Sequence, residues 1–123
     1  MPAIDVILKR FELPDEVRLF NNGRYDLVKI GNLTIGRATY DPGWQWSVDV
    51  GPTTGGAEKC TLPHVGLVVQ GHAVLEFEDG TIVDLTTGTL YETPAVPHDS
   101  WVVGDDKYVS LHFLDADAYA AGA

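Results

Sequence analysis

Glu58, Cys60 and His64 stand at even intervals, and His98 follows a further set of strand-like segments. On an extended backbone residues at even spacing share one face, so the acid, the thiol and the first imidazole point the same way. With His98 converging from across a barrel, they make a tetrahedral or open donor set for a divalent metal. A thiolate favours zinc, with iron, manganese and nickel as the other candidates. Each residue also has a plainer reading. Cys60 alone is equally a small buried apolar residue, and Glu58 beside Lys59 and a glycine-rich loop is equally a solvated carboxylate. On that reading the site holds no metal.

The other groups able to move protons are Asp99 and Glu92. Asp99 suits a general acid/base role or a partner for a neighbouring histidine. Glu92 alternates with Tyr91 on one strand, so only one of the two faces inward. His72 follows Gly71 at a turn and reads as an exposed imidazole. His112 shares a face with Tyr108 and Ser110, opposite Val109, Leu111 and Phe113; that face meets solvent, a second copy or the mouth of a cavity. Trp44, Trp46 and Trp101 are candidates for the wall of a substrate pocket, with core filling as the alternative for the first two.

Short strands separated by turn residues must position these groups. The stretch from Glu58 to His98 reads as a double β-hairpin, turning at Gln70-Gly71 and again at Asp79-Gly80. Tyr25–Ile30 and Leu33–Thr39 flank Gly31-Asn32 as another hairpin. Trp44 to Val50 alternates apolar and polar residues strictly and predicts a half-buried strand. Gly51 to Ala57 is a connector at the barrel mouth. Ile4 to Lys9 predicts a first strand within an arm or edge segment spanning 1–24. The tail 115–123 is short and small-sided and is expected to fray. No helical periodicity persists beyond two turns, so the expected architecture is an all-β barrel or sandwich in a single domain, 1–123.

Composition narrows the partners. At 123 residues the chain has 18 acidic against 8 basic residues, a formal charge of −10. With no basic patch for phosphate or anionic lipid, nucleic acid and membrane are not expected partners. One cysteine excludes an internal disulfide and fits the cytoplasm.

The block from Glu58 to His98 resembles the cupins. Their first motif is written G-x5-H-x-H-x3,4-E-x6-G. Counting back six residues from Gly71 places His64 in the slot of the glutamate, and Cys60 and Glu58 in those of the two histidines. Gly88 and Pro94 fit the second motif. His98 stands for its histidine one residue early, with Asp99 at the expected place, and the inner glycine is missing. A narrower resemblance to a group of small single-domain cupins covers nearly the whole chain. It rests on Phe11-x3-Asp15-Glu16-Val17-Arg18, Gly36-Arg37-Ala38-Thr39, Pro42-Gly43-Trp44-x-Trp46-Ser47, Cys60-x3-His64-Val65-Gly66, Tyr91-Glu92 and His98-Asp99-x-Trp101-Val102-Val103-Gly104-Asp105. The resemblance implies a small antiparallel jelly-roll barrel and an acid-Cys-His ligand pattern. It also implies a homodimer, with the N-terminal strand as the segment lacking a local neighbour. Three functions are compatible: a metal-dependent enzyme of lyase, isomerase or oxygenase type acting on a small polar molecule, a non-catalytic small-molecule-binding module, and a structural dimer with a filled barrel.

Overall fold

The computed structural model describes residues 5–122. Among the described residues nine strands pair antiparallel in two sheets that face each other across the core. The larger sheet contains β1 (Glu16–Phe20), β2 (Gly23–Ile30), β3 (Leu33–Tyr40), β4 (His64–Gln70), β7 (Leu90–Thr93) and β9 (Tyr108–His112), in the order β1-β2-β3-β9-β4-β7. The smaller sheet contains β5 (His72–Phe77), β6 (Ile82–Thr86) and β8 (His98–Val102), in the order β6-β5-β8. Consecutive strands that change sheets close this sandwich into a jelly-roll barrel.

The β2–β3 hairpin forms where expected, pairing Ile30 with Leu33 across a turn in which Gly31 takes φ +57°. The Asp79-Gly80 turn likewise joins β5 to β6. Gln70-Gly71 behaves differently. It links β4 in one sheet to β5 in the other, so it is a corner and not a hairpin. A Cβ on Gly71 would lie 2.4 Å from the Lys107 carbonyl oxygen, and its φ is +85°. Only glycine lets the chain cross so close to β9 there.

Trp44 to Val50 also departs from the expected strand. Gln45 is extended and bridges to Trp101, after which Trp46–Asp49 forms a single helical turn, α1. The Asp49 carboxylate accepts from the Gln45 backbone N–H at 2.9 Å, and Asp99 accepts from the Ser47 N–H at 3.0 Å. Those acceptors satisfy donors that a helix start leaves open, which lets the turn win over the β pattern. Trp44 and Trp46 are still both buried.

At the N-terminus, Ile4 lies outside the described residues. Residues 5–10 form no strand, and Val6, Ile7 and Leu8 are exposed. The edge strand is β1, further along the 1–24 segment. The tail is the larger correction, because it packs and does not fray. Residues Ala116–Ala118 make a 3-10 turn, Ala116 and Ala120 are buried, and Tyr119 inserts into the core. Arg18 donates from its guanidinium to the Tyr119 carbonyl at 2.6 Å, and the Tyr119 hydroxyl bonds that of Tyr40. The small residues around Tyr119 let the backbone approach closely while one ring fills the barrel end. Among the described residues no helix is long and apolar enough to cross a membrane.

Candidate metal centre

Backbone pairing brings the first two candidate ligands together. Cys60 and His98 exchange both backbone hydrogen bonds, at 2.8 and 3.0 Å, as an isolated antiparallel bridge. Their side chains therefore leave neighbouring points of the barrel wall. His64 opens β4 at Pro63, where its backbone N–H donates to the Thr93 hydroxyl at 3.0 Å. Among the described residues, Cys60, His64 and His98 form one buried group whose ligand atoms all lie within 4.8 Å of one another.

The donor chemistry fits a divalent metal. Cys60 Sγ and His64 Nε2 are 3.6 Å apart. A thiolate and an imidazole on one tetrahedral zinc, with bonds of about 2.3 and 2.0–2.1 Å, stand roughly 3.6 Å from each other. His98 Nδ1–H donates to the Val96 carbonyl at 2.8 Å. That bond sets the tautomer and leaves Nε2 as the free ligand atom.

The cavity beside this group has a volume of about 30 Å³ and lies between the sheets. Trp44 and Trp46 line it from one side, and His112, Tyr91 and Tyr119 from others. His112 is 5% exposed; its Nδ1 bonds the Tyr25 hydroxyl and its Nε2 the Ser110 hydroxyl, both at 3.1 Å. With both ring nitrogens engaged, it stands beside the ligand group without joining it.

Several expected site residues lie elsewhere. Glu58 is exposed in a bend at 58–59. Even spacing places residues on one face only where the backbone is extended, and the bend through Lys59 removes that condition. Glu92 points outward and is exposed, while its strand neighbours Tyr91 and Thr93 line the cavity. Asp99 is buried on the outer face of β8, where it accepts from Gln45 Nε2, the Ser47 hydroxyl and the Ser47 and Ser100 backbone N–H groups. Trp101 shares that outer parity and is half-buried, three residues from His98 and so on the opposite face. His72 is partly exposed and bonds Asp84 at 2.7 Å.

Sequence reading left His112 open and missed Tyr119. A polar face of Tyr108, Ser110 and His112 on a strand with an apolar other face looks like a solvated side. In this barrel it is the inner side, with all three buried and Val109 and Leu111 half-buried outside. Aromatic and hydrogen-bonding residues at every second position were the available signal.

Burial governs the protonation of the site. It pushes the Cys60 thiol up to about 11. Burial, followed by the neighbouring His112 and His98, lowers His64 to about 3, and burial alone lowers His112 to about 4. Burial also lowers His98, against the opposing pull of the Val96 carbonyl and Asp99. The metal-free site is thus neutral, with imidazoles ready to coordinate and a thiol that must lose its proton to do so. For stability the sign follows directly. Below about pH 6.5 the unfolded chain protonates histidines that the folded chain keeps neutral, so stability falls with acid. Above about pH 9 the unfolded thiol ionises while the folded one does not, so stability falls again. Denaturant midpoints of metal-free protein should be flat from about pH 6.5 to 9 and drop on both sides. A midpoint that rises between pH 7 and 5 contradicts this.

The fold has clear relatives among solved structures. A structure of oxalate decarboxylase from Bacillus subtilis superposes with a TM-score of 0.65 at 17% identity; 92% of this chain is covered but only 30% of that one. A cupin domain from Bordetella pertussis Tohama I gives 0.51 at 16% identity, covering 74% of this chain and 90% of that one. A cupin superfamily protein from Desulfitobacterium hafniense gives 0.50 at 20% identity, covering 89% and 84%. No protein-family model and no curated protein matches the chain. The chain has the cupin fold, with a buried Cys-His-His group lining the cavity between its sheets.

Proposed function

We propose that this chain is a metal-dependent cupin enzyme. It binds one divalent ion, zinc by preference, at Cys60, His64 and His98, and acts on a small polar organic molecule in the adjoining cavity. The observation that carries the reading is the buried group of three ligand atoms within 4.8 Å of one another. When bound, the ion supplies Lewis-acid polarisation of a carbonyl or carboxylate oxygen. With Asp99 and Glu92 outside the cavity, His112 is the imidazole left to carry a proton, oriented by Tyr25 and Ser110. The reaction type, whether lyase, isomerase or oxygenase, stays open. The thiol must remain reduced to coordinate, which suits the cytoplasm. The expected result is about one equivalent of zinc in the purified protein, with a proton released from Cys60 on binding. Protein that is isolated free of metal and takes up none on titration contradicts it.

A second reading is a binding module without catalysis. It is favoured by the cavity wall, where among the described residues no carboxylate is found. Recovery of an unchanged small molecule from metal-loaded protein would select it. The proposed partner in either case is a second copy of this chain, placed against the exposed apolar residues 6–8 and the free edge of β1. Sedimentation should give a dimer, and a monomer at high micromolar concentration removes the proposal.

A further inference from the structure

The Cys60-His64-His98 group sits behind a closed wall. The three residues are 2%, 7% and 2% exposed, and the cavity beside them has a volume of about 30 Å³. That is room for two or three waters at about 10–15 Å³ each. A molecule of more than a few atoms therefore enters only if part of the wall moves. Strand pairing holds most of the wall, the bridge to His98 holds Cys60, and bonds from Val102 and to Asp99 tie Trp44 and α1 to β8. Tyr119 is the exception. Among the described residues, the tail from 115 on makes backbone hydrogen bonds only within itself, from Ala118 to Asp115 and from Tyr119 to Ala116.

One side chain and one carbonyl hold the tail instead. The Tyr119 ring lies against His64 at 5.7 Å, His112 at 5.1 Å and Tyr25 at 4.9 Å between centroids. Its hydroxyl bonds that of Tyr40, and its carbonyl accepts from Arg18 Nη1 at 2.6 Å. On either side the backbone is left-handed without glycine, Asp115 at φ +50° and Ala120 at φ +52°. Aspartate tolerates that region, but alanine crowds its Cβ against the following carbonyl oxygen. Such strain persists only where the surroundings impose it, and it gathers at clamps and switches. Few backbone bonds and a strained residue mark the part of the wall that opens most readily.

We infer that residues 115–122 are a latch on the barrel: Tyr119 withdraws as Ala120 relaxes, and the wall beside His64 opens while both sheets stay folded. The withdrawn ring leaves its own volume to the incoming molecule, so the site accepts one larger than the closed cavity holds. Closing again shields the ligand group from water. The latch works whether or not the group holds an ion, so it goes beyond the metal reading without resting on it.

The test is the rate at which iodoacetamide alkylates Cys60, the only thiol in the chain, in metal-free full-length protein at fixed pH. In the parent the rate should change little with urea while the protein stays folded, because a local opening exposes little surface. Ala120→Pro forbids the positive φ, and Tyr119 before it is already extended, as a residue preceding proline must be. Its rate should be at least about tenfold higher and equally insensitive to urea. Tyr119→Ala should behave alike. Ala120→Gly relieves the strain of the closed state and should slow the reaction about two- to fivefold. Far-ultraviolet circular dichroism and the melting temperature establish that each variant is folded. A parent rate that climbs with urea in step with global unfolding overturns the latch, as does a parent-like rate in folded Ala120→Pro or Tyr119→Ala. Should neither of those fold, a rate in Ala120→Gly equal to or above the parent's overturns it.

Discussion

Cys60→Ser protein should hold zinc at least about a hundredfold more weakly than the parent chain. Substitutions among groups that merely orient a metal ligand cost about 10–100-fold in affinity, so loss of a ligand atom sets a higher floor. Serine is close to isosteric but offers no thiolate at neutral pH, leaving two imidazoles that do not close a zinc site alone. The bridge between Cys60 and His98 is made by backbone atoms and survives the change, so the fold is expected to persist. The accompanying readout is thermal. Zinc at about a hundred times its dissociation constant stabilises the parent by about 2.7 kcal/mol, and at the same zinc concentration this increment should fall to about 0.4 kcal/mol or less in the variant. Glu58→Gln should bind zinc as the parent does, because Glu58 lies exposed outside the ligand group. Equal zinc affinity in Cys60→Ser and parent would exclude the thiolate as a ligand.

Asp99→Ala should be the most destabilising of the single changes considered. Asp99 is 5% exposed, and its carboxylate accepts four hydrogen bonds, at 2.7, 3.0, 2.8 and 2.9 Å, from Gln45, the Ser47 N–H and hydroxyl, and Ser100. These bonds tie α1 to the outer face of β8. Removing the acceptor strands several part-buried donors, each worth about 1–3 kcal/mol when left unpaired, and water will recover only some. A loss of about 3–5 kcal/mol follows, a fall of roughly 10–20 °C in melting temperature for a domain of this size. Zinc binding by the folded fraction should be retained. A variant as stable as the parent but inactive would instead restore the catalytic role that the sequence suggested for Asp99.

The difference between those two residues shows what sequence made legible. Cys60 and His64 lie in motif slots, and spacing alone placed them on one shared face. Glu58 failed the same test because parity counts only where the backbone is extended, and the chain bends at 58–59. Trp101 reads as a pocket candidate by its residue type, although three residues from His98 on a strand is the wrong parity. Local turn chemistry was readable at Gly31 and at Asp79-Gly80. At Gly71 it was not, because a corner between sheets and a hairpin place the same demand on one glycine, and only β9 behind it distinguishes them. The tail was least legible. Nothing near Tyr119 in sequence announces that it will meet Tyr40 and Arg18, which lie 79 and 101 residues away. The inner polar face of β9 inverts the usual hydrophobic rule because Tyr108, Ser110 and His112 line an enclosed cavity and not a solid core.

The most direct test of the central claim is X-ray absorption at the zinc edge of zinc-loaded protein. The predicted result is one sulfur at about 2.3 Å and two imidazole nitrogens at about 2.0–2.1 Å, with the sulfur lost in Cys60→Ser. A shell of nitrogen and oxygen alone in the parent protein would contradict it.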